Sequence, residues 1–89
     1  MNQSQQNRGN VKHSARLFLK AKKRLQAAAR LFDQVERVAN EAGEQGDPVG
    51  EKLSKDAGLC ERLLEVLIDK TTDDIVAWPE WLAKKAMQS

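Results

Sequence analysis

Val11, Phe18, Leu25, Phe32 and Ala39 recur every seven residues, and Ala21, Ala28, Val35 and Ala42 fill the companion row, which only Ser14 interrupts. Seven residues are two turns of an α-helix, so both rows lie on one side of it. Leu17, Leu31 and Val38 widen the stripe on one flank, giving the broad apolar face of a bundle helix rather than a narrow coiled-coil seam. The alanines let another helix come close. The spacing predicts a helix over residues 11–42, with Asn10 as its N-cap and Gly43 as its stop.

Gly43, Gly46, Asp47 and Pro48 make a short connection. Asp47 is placed to accept backbone N–H bonds, and Pro48 has the fixed φ of a first helical turn. A second stripe follows through Val49, Leu53, Ala57, Cys60, Leu64 and Leu67, broadened by Leu63, Val66 and Ile68. It predicts a helix over 48–70, although Gly50 and Gly58 each cost about 1 kcal/mol relative to alanine; Gly58 is read as a point of close backbone contact. Thr71 to Asp74 has the form of a new helix start, so a last helix is expected over 72–87, bent at Trp78-Pro79 because proline disfavours helical geometry in the residue before it. Residues 1–10 are polar after Met1 and are expected to be a disordered tail, with residues 11–89 as a single helical domain. The expected fold is all-α: a long antiparallel helical hairpin closed by a short bent C-terminal helix, a three-helix arrangement with Leu25, Phe32, Val35, Leu53, Cys60, Leu64 and Leu67 in its core.

The two long helices do not match. At 1.5 Å per residue the first would be about 48 Å long and the second about 34 Å. The second would finish near Lys20, leaving Val11, Leu17, Phe18 and Leu19 to be covered by the tryptophan segment, a second protomer or a partner. A homodimer pairing Val11, Leu17 and Phe18 across a two-fold axis is one way to cover them. Leu, Ile, Val and Phe number only 20 of 89 residues, so the core of one chain is thin and help from a partner or a second copy is in keeping with it.

Catalytic machinery is hard to assemble from this chain. Cys60 and His13 are the only residues of their kinds, which excludes an internal disulfide and a zinc-ligand set. Cys60 lies on the apolar stripe as a buried thiol, and His13 and Ser14, being adjacent on a helix, do not face each other. Asp73 with Asp74, and Asp47 with Glu51, sit at helix starts, where the helix dipole accounts for them. The glycines near the connection lack the lysine and hydroxyl of a phosphate loop. No enzyme activity, cofactor or metal is expected. The longest apolar run, Ile75 to Trp78, has four residues, far short of the roughly 20 that span a bilayer. The chain is therefore expected to be cytoplasmic, without a membrane role.

Charge is the most directional feature. Residues 1–32 hold eight bases and no acid, whereas the rest holds seven bases and thirteen acids. Arg16, Lys23, Arg30 and Arg37 recur every seven positions opposite the apolar seam, flanked by His13 and Lys20, with about 10.5 Å between successive members. The Trp78-Pro-Glu-Trp81-Leu cluster adds two amphipathic rings suited to plugging a core or anchoring a partner. The reading that follows is a small non-enzymatic protein-binding module, a modulator or inhibitor, acting by surface occupation through the N-terminal half of its basic helix. Its candidate contact residues are Arg16, Leu17, Leu19, Lys20, Lys23, Arg30, Trp78 and Trp81. The alternative is an accessory or regulatory protein that binds nucleic acid through the same ridge with little sequence specificity, since no base-reading motif or aromatic stacking array is present. A plain solvated helix face competes with both.

Overall fold

The computed structural model describes residues 3–87, and side-chain surroundings for residues 8–84. It contains α1 (Gln3–Glu44), α2 (Pro48–Val76) and α3 (Glu80–Met87). Helix α2 runs back antiparallel along α1, and α3 folds onto the N-terminal part of α1. The result is the all-α hairpin with a short closing helix that the spacing predicts. At 1.5 Å per residue α1 alone is about 63 Å long, and it sets the 66 Å length of a rod 19 Å across.

The connection between α1 and α2 is capped on both sides. The Asp47 N–H donates to the Ala42 carbonyl and the Gly46 N–H to the Gly43 carbonyl, at 3.1 and 3.0 Å. This is the Schellman pattern, which needs a left-handed residue, and Gly46 supplies it with φ 95°. Asp47 then caps α2, its Oδ1 accepting the Val49 N–H at 3.0 Å, with Pro48 in the first turn. Gly46, not Gly43, therefore ends α1. Gly43 lies inside the helix, where a β-carbon would meet the Glu51 backbone at 3.1 to 3.2 Å.

Two other boundaries differ from those the sequence suggests. Helix α1 starts at Gln3, so residues 3–10, expected to be disordered, are helical and Asn10 is not a cap. Extending an existing helix avoids the cost of a new nucleus, and Gly9 is the only poor helix former there apart from Asn and Ser. The Arg8 guanidinium also rests over the Trp81 ring at 5.1 Å, tying this turn to α3. At the far end no new helix begins at Thr71 or Thr72. Both hydroxyls donate back to the Ile68 carbonyl, at 2.7 and 3.0 Å, and are satisfied without leaving the helix. Helix α2 continues to Val76, and the break falls at Trp78-Pro79, where the Pro79 carbonyl accepts the Leu82 and Ala83 N–H groups.

The core is made of small residues. Among the described residues the buried apolar side chains are Ala15, Ala39, Ala57 and Leu82, joined in α2 by Gly50 and Gly58. Leu25, Phe32, Cys60 and Leu64 are half-buried. Val35, Leu53 and Leu67 are not in the core as expected; they are 42%, 49% and 49% exposed. The reason is the width of the apolar stripe. Helix α2 seats on the side of α1 that carries Phe32, Glu36, Ala39 and Gly43, where small residues permit close approach, and one helix covers only part of its neighbour's circumference. The rows through Leu31, Val35 and Val38 are left facing outward.

Candidate functional site

The unmatched end of α1 is covered in part from within the chain. Ala15 and Leu82 form a buried pair, with Leu19 and Trp78 packed against it. The Phe18 and Trp78 rings meet edge to face, with centroids 5.6 Å apart and planes at 63°. Trp78, in the turn before α3, thus covers one side of Phe18, and a shallow hollow of about 180 Å³ remains between Val11, Phe18, Trp78 and Leu82. Leu17 stays 53% exposed and Val11 43%. Leu17, Phe18 and Leu19 point in directions about 100° apart, so the C-terminal segment hides two of them and leaves the third.

The eight candidate contact residues fall into three places. Arg16, Leu17, Lys20 and Lys23 are all exposed and are linked by spacings of three and four residues into one patch on the outside of α1. Leu19, Trp78 and Trp81 belong to the α3 contact on another side. There Trp81 is 39% exposed and lies beneath Arg8 and beneath the Lys12 ammonium, 6.0 Å from the ring centroid. Arg30 is separate again: it borders a hollow of about 290 Å³ that Ala29, Asp33, Glu61 and Glu65 complete. The basic ridge therefore loses its third heptad member to an acidic neighbourhood, and Arg37 pairs with Asp33 at 2.8 Å.

That neighbourhood contains the group among the described residues best placed to hold a cation. Carboxylate oxygens of Asp33, Glu36 and Glu61 lie within 4.8 Å of one another, an all-oxygen set suited to a hard divalent ion. Partial burial raises the Glu61 pKa above its ordinary 4.5, with the Asp33 charge and a hydrogen bond to Glu36 adding to the rise. The Glu36 carboxylate reaches over Gly58, which leaves room for it. The close contact anticipated at Gly58 is thus with a side chain and not with a backbone. Asp33 and Glu36 share a helix face by spacing; Glu61 joins them only through the hairpin register, which the sequence does not display.

A larger feature takes shape only in the folded hairpin. On the side of the hairpin away from this hollow, Leu31, Val35, Val38, Ala39 and Ala42 of α1 face Val49, Gly50 and Leu53 of α2 across an open apolar groove of about 720 Å³. Its signal was present in the width of the α1 stripe, which exceeds what a single neighbour covers. Among the described residues no helix is long and apolar enough to cross a membrane. Comparison of the chain with protein-family models, curated proteins and solved structures finds no match.

Proposed function

We propose that the protein is a non-enzymatic binding module that occupies an acidic surface of another protein through the N-terminal half of α1. The observation carrying this reading is the exposed Arg16, Leu17, Lys20 and Lys23 patch, set in a stretch of 32 residues with eight bases and no acid. A field of one sign steers an oppositely charged partner into encounter, and an apolar side chain inside a charged rim supplies the desolvated anchor. Leu17 is that anchor. Phosphate-backbone binding uses the same cations but gains nothing from Leu17, and with Arg30 among acids the ridge available to a nucleic acid is short.

The test is capture from native lysate with the wild-type chain, with Arg16→Glu/Lys20→Glu/Lys23→Glu, and with Lys52→Glu/Lys55→Glu/Arg62→Glu as a control of equal charge change, all checked for unchanged helicity. The proposal expects an acidic protein that elutes with salt, retained by the control and lost with the α1 triple. Capture unaffected by the α1 triple overturns it. Retardation of DNA or RNA with a log-log salt slope of roughly −3, the value for three neutralised phosphates, would install the nucleic-acid reading in its place.

A further inference from the structure

We propose that the open apolar side of the hairpin is closed by a second copy of this chain, running antiparallel, to form a four-helix bundle. This inference stands independently of the acidic partner. Leu31, Val38, Val49, Leu53, Leu63 and Leu67 are each between 49% and 68% exposed, and the register of the groove places Leu31, Val38, Val49 and Leu53 on one side of the molecule. Leu63 and Leu67 continue that side along α2 at spacings of three and four residues.

Area supports one large occupant. The chain exposes 6879 Å², whereas a compact monomer of 10.0 kDa exposes about 5,200 Å². The exposed aliphatic residues of the open side are the surface a second copy would cover; a standard stable interface takes about 800 Å² from each partner. The same patch on both copies satisfies a two-fold axis.

Charge selects both the occupant and its direction. The third of the rod near the connection, residues 31–60, carries three bases against seven acids, a formal −4; the remainder, residues 1–30 with 61–89, carries twelve bases against six acids, a formal +6. A parallel pair would lay acid on acid. An antiparallel pair centred near Val35 brings Glu41 and Glu44 of one copy toward Arg24 and Arg30 of the other, and like-charge contact is avoided. In that arrangement the Arg16, Lys20 and Lys23 arms project beyond the paired region at both ends.

Sedimentation equilibrium of the full chain, with Val38→Lys/Leu53→Lys beside it, tests the face, and pulsed dipolar spectroscopy tests the direction. The wild type is expected to sediment at twice the 10.0 kDa chain mass. The double variant, altered only at exposed positions, is expected at the single-chain mass with its helicity intact. A wild type of single-chain mass at high micromolar concentration, or a dimer indifferent to the two lysines, overturns the proposal. A spin label at Gln45→Cys in a Cys60→Ala background should report an inter-copy distance of about 30 Å from ten residues of offset on each side at 1.5 Å rise. A short distance, under about 15 Å on the same geometry, contradicts the antiparallel pairing.

Discussion

A β-carbon placed on Gly50 would lie 2.8 Å from the Ala42 Cβ and 2.9 Å from the Ala39 carbonyl oxygen. The two helices touch backbone to backbone there, and Gly50 is retained in α2 for that contact in spite of its poor helix propensity. Gly50→Ala gains about 1 kcal/mol of propensity but forces α1 and α2 apart, and overpacking of this kind costs about 1 to 3 kcal/mol. A net loss is expected, read as a lower midpoint in urea.

Gly58→Ala makes the opposite case. Its new methyl group would meet the Glu36 carboxylate at 3.1 Å, the far end of a flexible side chain that can move aside. The propensity gain, about 1 kcal/mol at most, should then survive in part, so the variant is expected to be as stable as the wild type or more so. The same urea titration checks it: a loss equal to that of Gly50→Ala would show that Glu36 is fixed.

Leu82 is the one large side chain among the buried apolar residues described, and it holds α3 against Ala15. Leu82→Ala should cost about 2 to 5 kcal/mol, concentrated at the α3 contact. Amide hydrogen exchange is expected to speed up in α3 and the first turns of α1, with α1–α2 contacts near Gly50 unaffected. Uniform acceleration along the rod would mean that α3 is integral to the hairpin rather than docked on it.

Glu61 gives a pH dependence of definite sign. Its folded-state pKa is raised above the ordinary 4.5, first by partial burial and then by Asp33 and Glu36, so the folded chain binds this proton more tightly than the unfolded chain does. The contribution is full below pH 4.5 and is lost as pH rises through the raised value. Glu61→Gln should therefore melt higher than the wild type at pH 7, with the difference shrinking as pH falls below 4.5. A variant that melts below the wild type at neutral pH would contradict the assignment.

Helix type, the connection at Asp47-Pro48 and the break at Trp78-Pro79 were legible because each rests on local chemistry: periodicity, a capping carboxylate and a ring without an N–H. The start of α1 was not, because its polar residues favour neither state and the contact of Arg8 with Trp81 joins positions far apart in sequence. Thr71 and Thr72 are ambiguous for a related reason, since a hydroxyl can cap a new helix or bond back into the old one, and only the continuing backbone decides. The site shows the same division. Arg16, Lys20 and Lys23 are exposed neighbours as helical spacing alone implies, whereas the acidic surroundings of Arg30 and the outward turn of Val35, Leu53 and Leu67 follow from which side of α1 receives α2.

The proposed completion of this thin hairpin by a second copy of itself is tested most directly by the midpoint of thermal unfolding against protein concentration. Mass action makes the midpoint of a dimer rise with concentration, by roughly 5 to 10 °C over about a hundredfold range for two chains of this size. That rise is expected for the wild type and should be absent in Val38→Lys/Leu53→Lys. A wild-type midpoint that stays constant across the range would show that one chain folds alone with its apolar side open, and would contradict the dimer.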